Sequence, residues 1–158
     1  MWDAPTTAPN QAVEPAWIDY NGHLNMAYYH VLFDRAVDFV YDRLGIGVDY
    51  VRAEGGSCFT LEVHVNYLSE LTTDDPVAVT FQLIDHDAKR LHFFQTMTNA
   101  RTGELAATSE QLALHVDMTE RRSVEFPSAA LEKIASLQAA HAHLDRPEQL
   151  GRVIGIRR

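Results

Sequence analysis

Residues 19–45 read DYNGHLNMAYYHVLFDRAVDFVYDRLG, and this stretch decides the fold. From Met26 to Leu44 apolar side chains fall at Tyr29, Leu32, Phe33, Val37, Val40 and Leu44. That is the three-and-four spacing of one helical face. Asn25 is placed to cap the helix and Gly45 to stop it. The preceding DYNGH is rich in turn formers. A helix with one long apolar face needs a partner layer to bury it.

The flanking sequence supplies that layer. Residues 12–18 (AVEPAWI) predict a short first strand that Pro15 pushes toward a sheet edge, behind a loosely held arm over residues 1–11. Beyond the helix, a glycine-containing loop (Gly45, Gly47, Gly55, Gly56) marks a change of period from 3.6 to 2. Phe59, Leu61, Val63, Val65 and Tyr67 alternate with Thr60, Glu62, His64 and Asn66, predicting an antiparallel strand with one apolar face. Val77, Val79, Phe81 and Leu83 continue the alternation, Asp85–Ala88 reads as a turn, and Leu91–Met97 forms the next strand. Thr102–Gly103 turns the chain into a last long strand over 105–117. Ser128 is placed to cap a terminal helix whose inner face carries Leu131, Ile134, Leu137, His141 and Leu144. The expected architecture is α+β, an antiparallel sheet wrapped around one long helix, with an extra C-terminal helix. The domain runs over 12–127, and the helix and tail over 128–158.

Composition narrows the function. Hydrophobic residues make up 46% and charged residues 22%, as in ordinary globular proteins. The net charge of -9 argues against nucleic acid, which needs a positive field. No apolar run is long enough for a membrane span, and the N-terminus lacks the features of a secretory signal. The single Cys58 cannot form an internal disulfide, which fits the cytoplasm. His141 and His143 lie two apart on a helix, so they do not share a face for a metal.

The chemistry concentrates at the helix start. Unpaired N–H groups there suit an oxyanion or a polarised carbonyl, and Asp19 on the adjoining turn could act on that carbonyl. Gly22 lets the backbone turn sharply. A plainer reading makes Asp19 and Asn25 only turn and cap residues. His23 could orient Asp19 or merely bond the turn. Tyr28 and Tyr29 could line an acyl pocket, although one of them must pack in the core. Glu62 and His64 share the polar face of a strand and could meet Asp19 in the same or a partner subunit, or could be solvated. Lys89–Arg90 and Arg121–Arg122 are the basic clusters a phosphorylated ligand would need.

The run from Asp19 to Tyr28 resembles the D-x-x-G-H-x-N-x-x-Y signature of hotdog-fold acyl-CoA thioesterases of the 4-hydroxybenzoyl-CoA thioesterase type. The resemblance extends over residues 12 to 127. It implies that Asp19 is the catalytic carboxylate, as nucleophile or general base, and that the backbone N–H of Met26 polarises the thioester carbonyl. It further implies a homodimer or dimer-based homotetramer with a shared site, no cofactor beyond the coenzyme A of the substrate, and basic residues such as Arg90, Arg121 and Arg122 on the CoA phosphates. The stretch from Trp17 to His30, with EVHVNY at 62–67, is similar to the thioesterases of carnitine breakdown that hydrolyse betainyl-CoA. On that narrower likeness Trp17, Tyr20, Tyr28 and Tyr29 would hold a trimethylammonium group by cation–π contact and Glu62 would add charge. Two other readings stay open: a non-catalytic acyl-CoA-binding module, and an acyl-thioester hydratase. The hydratase pattern D-x-N-P-I-H is departed from here, with Gly22–His23 following Asn21.

Overall fold

The computed structural model describes residues 1–156. Helix α1 runs over Met26–Leu44, with the expected boundaries. The Asn25 side chain accepts from the Ala27 N–H, and Gly45 closes the helix in the left-handed conformation at φ 82°. Its buried face carries Tyr29, Leu32, Phe33, Ala36, Val37, Val40 and Leu44.

This face lies against a seven-stranded antiparallel sheet. Two short strands, β1 (Thr6–Thr7) and β2 (Gln11–Ala12), pair with β4 (Pro76–His86). Strand β4 pairs with β5 (Arg90–Asn99), β5 with β6 (Leu105–Asp117), and β6 with β3 (Gly56–Tyr67). A short β7 (Arg122–Ser123) extends β6, and α3 (Ser128–His141) follows. Val77, Val79, Phe81 and Leu83 of β4, with Leu91, Phe93 and Met97 of β5, are buried in the core. Polar contacts accompany the apolar ones. The Gln95 amide donates to the Phe33 carbonyl at 3.1 Å, and the Gln11 amide donates to the Leu32 carbonyl at 2.8 Å. The architecture is the expected hotdog arrangement of a sheet curved over one long helix.

Several expectations require correction. Residues 12–18 are not a strand: only Gln11–Ala12 pairs, and Pro15–Trp17 forms a 3-10 turn. Pro15 starts that turn because its φ is fixed and it has no N–H to give a ladder. The arm over 1–11 is not loose, since Thr6 is buried on the β4 edge and the Arg43 guanidinium sits 4.1 Å over the Trp2 ring. The loop after Gly45 contains a helix, α2 (Val48–Glu54), between Gly47 and a left-handed Gly55. Pro127, not Ser128, occupies the cap of α3, and Leu144 lies beyond its end. The Asp85–Ala88 turn is also tighter than expected, because β4 continues to His86.

His141 joins three parts of the chain. Its Nδ1 accepts from the Leu83 N–H at 2.9 Å, so its Nε2 carries the proton shared with the Asp3 carbonyl at 3.1 Å. Burial holds its pKa below the ordinary value of 6.5, with the Asp3 carbonyl and His143 acting in opposite directions on it. The unfolded chain therefore takes up this proton before the folded one. The stability from neutral His141 is present above about pH 6.5 and is lost as pH falls toward the lower folded value. The stability gap between the native protein and a His141→Gln variant should shrink below pH 6.5, as read by denaturant melts across pH 5 to 8.

Candidate active site

The turn before α1 is built from backbone bonds that the sequence makes possible. Ile18 and Leu24 form a bridge, the Asp19 N–H donates to the His23 carbonyl at 3.1 Å, and the Gly22 N–H donates to the Asp19 carbonyl at 3.0 Å. Gly22 sits at φ 83°, a conformation glycine adopts without the Cβ penalty. The Leu24 N–H donates to the Leu71 carbonyl at 2.8 Å, which ties the turn to the chain leaving β3.

Both oxygens of Asp19 are held. Oδ1 accepts from the Asn21 N–H at 2.8 Å, and Oδ2 faces the Asn25 amide at 3.4 Å. The other oxygen-bearing arm of Asn25 accepts from the Ala27 N–H at 3.0 Å, and the Asn25 carbonyl accepts from the Tyr28 N–H. Among the described residues the Met26 N–H has no hydrogen-bond partner. The first turn of α1 also lacks an acidic side chain, so nothing on the helix itself neutralises its positive end. Asp19, with its carboxylate, and Met26, with its free helix N–H, line one opening.

That opening is a cleft of about 510 Å³. One wall is the 19–26 turn with Tyr29, and the other is the end of β3 with the three residues after it, Tyr67 to Glu70. The Tyr67 hydroxyl donates to the Met26 carbonyl at 3.1 Å, and the Tyr29 hydroxyl donates to the Ser69 carbonyl at 3.3 Å. Their rings meet edge to face at 5.0 Å. Burial raises both phenol pKa values, so both remain donors at neutral pH. The His23 Nε2 lies 3.8 Å from the Glu70 carboxylate. The lining includes two carboxylates, Asp19 and Glu70, and no lysine or arginine.

The chain matches the model of the thioesterase-like superfamily over residues 13–134, a span that contains the whole cleft. It belongs to that superfamily. This thioesterase-like chain is 41% identical over 144 residues to the betainyl-CoA thioesterase of Pseudomonas aeruginosa, covering 91% of each. It is 40% identical over 146 residues to the L-carnitine dehydrogenase/betainyl-CoA thioesterase of a Rhizobium species. That match covers 92% of this chain but only 29% of the relative, so the chain spans less than a third of the fused proteins. Among solved structures it is similar to a hypothetical protein of Staphylococcus aureus in complex with CoA, at TM-score 0.91 and 34% identity over 99% and 98% of the two chains. A putative thioesterase of Pseudomonas putida matches at TM-score 0.83 and 33% identity, over 96% and 97%.

The thioesterase-like fold gathers some of the residues singled out from sequence and separates others. Asp19, Tyr20, His23, Asn25, Met26 and Tyr29 line the cleft, with Gly22 in the turn beside them. Trp17 is buried and stacks on Tyr28 at 5.3 Å, with the Arg35 guanidinium 5.1 Å over its ring, outside the cleft lining. Glu62, His64 and Arg90 line a second groove of about 770 Å³ on the other face of the sheet. There Glu110 accepts from the Gly151 N–H at 2.6 Å and pairs with His92 at 2.8 Å. Arg90 donates to Asp87 Oδ2 from both Nε and Nη2, which pushes the Asp87 pKa down to about 2. Arg121 and Arg122 are exposed beside the far end of β6, next to Gly56, while Tyr67 pairs at its near end with Ala107. Cys58 is half-buried, and burial pushes its thiol up to about 12, so it is not a nucleophile at neutral pH.

Tyr67, Ser69 and Glu70 were missed from sequence. Tyr67 is the last of the alternating β3 residues, which was a usable signal. Glu70 carried none, being one of many exposed carboxylates.

Proposed function

We propose that this chain is an acyl-CoA thioesterase acting on betainyl-CoA. The observation that carries the reading is a held carboxylate and an unpartnered helix N–H on the same wall of one cleft. The Met26 N–H receives the carbonyl oxygen and stabilises the charge that develops there. Asp19 either takes a proton from water or attacks the carbonyl carbon itself. In the first route the water oxygen bonds to the carbonyl carbon as Asp19 takes its proton, the C–S bond breaks and the sulfur leaves as thiolate with the free acid formed. In the second the C–S bond breaks to leave an anhydride on Asp19, which water then cleaves to the acid and the restored carboxylate. A thiol pKa of about 8.5 means that this departure needs no strong general acid. Asn25 positions Asp19 and caps the helix at once, and His23 sits beside the second carboxylate.

The substrate class rests on the two betainyl-CoA thioesterase relatives and on a cleft whose fixed charges are both negative. The working unit is a homodimer, or a tetramer built from it. Strand β3 ends the sheet and exposes Phe59, Leu61 and Val63 at 47%, 52% and 41%. An unpaired edge of this length with exposed apolar side chains calls for a second strand. Antiparallel pairing of two β3 edges would bring the Gly56 end of one copy to the Tyr67 end of the other. The partner's Arg121 and Arg122 would then stand near the cleft, where CoA phosphates need cations.

An acyl panel tests the substrate. Betainyl-CoA should be hydrolysed with a kcat/KM at least tenfold above that of acetyl-, benzoyl- and long-chain acyl-CoA. Equal rates across the panel would end the betainyl assignment.

A further inference from the structure

We propose that Glu70, with the ring of Tyr67, selects a cationic acyl group at this cleft. This role presupposes the thioesterase reading and its substrate class. A trimethylammonium group has no N–H to donate, so it is recognised by charge and aromatic surface alone. In betainyl-CoA a single methylene separates that nitrogen from the thioester carbonyl. Its binding groups must therefore lie beside Asp19 and the Met26 N–H.

Three of the residues first singled out for this role, Trp17, Tyr28 and Glu62, do not meet that condition in the protomer. Trp17 and Tyr28 are engaged with each other, and Glu62 lies on the other face of the sheet. Tyr67 does meet it, and Glu70 lines the same cleft, 3.8 Å from His23 of the 19–26 turn. The Tyr67 hydroxyl is bonded to the carbonyl of Met26 itself, which fixes the ring next to the carbonyl-binding N–H. Tyr29 packs against that ring from inside the core and stops it turning. Glu70 stands on the same wall and has no lysine or arginine partner among the described residues. Its side chain is 74% exposed, so its presence is not needed to fill the core.

Charge acts in both directions here. In either route the tetrahedral intermediate carries the negative charge of Asp19 onto the oxygen at the Met26 N–H, against an acyl group that is neutral or cationic. A second carboxylate lining the same cleft, Glu70, raises the energy of that state for a neutral acyl group. A positive acyl group placed between the carboxylates and the oxyanion reverses the effect. Glu70 is thus unfavourable for ordinary acyl thioesters and favourable for cationic ones, which is how discrimination arises from both attraction and penalty.

The test compares betainyl-CoA with 3,3-dimethylbutanoyl-CoA, its neutral isostere with carbon in place of nitrogen. The quantity read is the ratio of the two kcat/KM values. In the wild-type protein it should exceed ten. In Glu70→Gln it should fall about tenfold, through slower betainyl and faster isostere hydrolysis, and in Glu70→Lys it should fall further. Tyr67→Leu should lower the ratio as well. General damage to the turn or to Asp19 would slow both substrates together and leave the ratio in place. A wild-type ratio near one sinks the substrate reading and this inference with it. A wild-type preference that Glu70→Gln reduces by less than threefold overturns the Glu70 assignment alone.

Discussion

Asp19→Asn is expected to lower kcat for thioester hydrolysis by about a thousandfold, with KM changed by less than about threefold. The amide side chain keeps an oxygen to accept from the Asn21 N–H, so the turn retains its closing bond. It loses the charge and basicity that a nucleophile or general base requires. The residual rate should reflect the Met26 N–H and substrate binding alone. Thermal stability should hold within about 1 kcal/mol, because the side chain lies in an exposed turn rather than the core. Steady-state release of CoA thiol, paired with calorimetric melting, separates the two effects. Cleavage at the wild-type rate in this variant would remove Asp19 from the chemistry and favour an acyl-CoA-binding module instead.

The second large effect is expected at the sheet edge. Leu61 sits at a bulge in β3, between Thr60 and Glu62, and half of its surface is open in the protomer. Leu61→Asp places a carboxylate on each edge that two copies would bring together. Burying those charges unpaired costs several kcal/mol. The dimer dissociation constant should rise at least about a hundredfold, which corresponds to about 2.7 kcal/mol. Circular dichroism should be unchanged, since the site is not in the protomer core. Activity at low protein concentration should fall with the dimer fraction, as the partner's Arg121 and Arg122 leave the cleft. Sedimentation at micromolar concentration decides this. A wild-type protein that is monomeric there would contradict the whole assembly.

The parts of the fold legible from sequence were those whose signals agree. Helix α1 combined a clear apolar period with a capping asparagine and a terminating glycine. Strand β6 was bounded by a glycine turn and a polar run. The 12–18 segment misled because Val13, Trp17 and Ile18 look strand-like, while Pro15 imposes a tight turn from within. Helix α2 was invisible because none of its residues is buried, so it has no apolar face to leave a period. The candidate site divides in the same way. The 19–26 wall is contiguous and therefore readable as a motif. The facing wall arrives only through tertiary contacts, the Leu24–Leu71 bond and the Tyr67–Met26 bond. No local pattern encodes those. The single apolar face expected of β3 is not formed. The bulge at Leu61 breaks the alternation, so Phe59, opposite Leu114, and Val63, opposite Gln111, lie on different faces, and an alternating sequence does not show where a bulge falls.

The two glutamines that donate to carbonyls of neighbouring α1 residues have a consequence beyond packing. Apolar interfaces resist separation but resist sliding far less, because one methyl group replaces another as the surfaces shift. A helix moved by one residue travels about 1.5 Å along its axis. Gln11 at the β4 edge and Gln95 in β5 grip adjacent points on α1 from two different strands, and directional bonds of this kind do not survive such a shift. They index the helix lengthwise. The N–H at its tip is thereby held at a set depth in the cleft, where an error of about 1 Å can cost a hundredfold in rate. The precision of a site at one end of the helix is set by two amides bound near its middle.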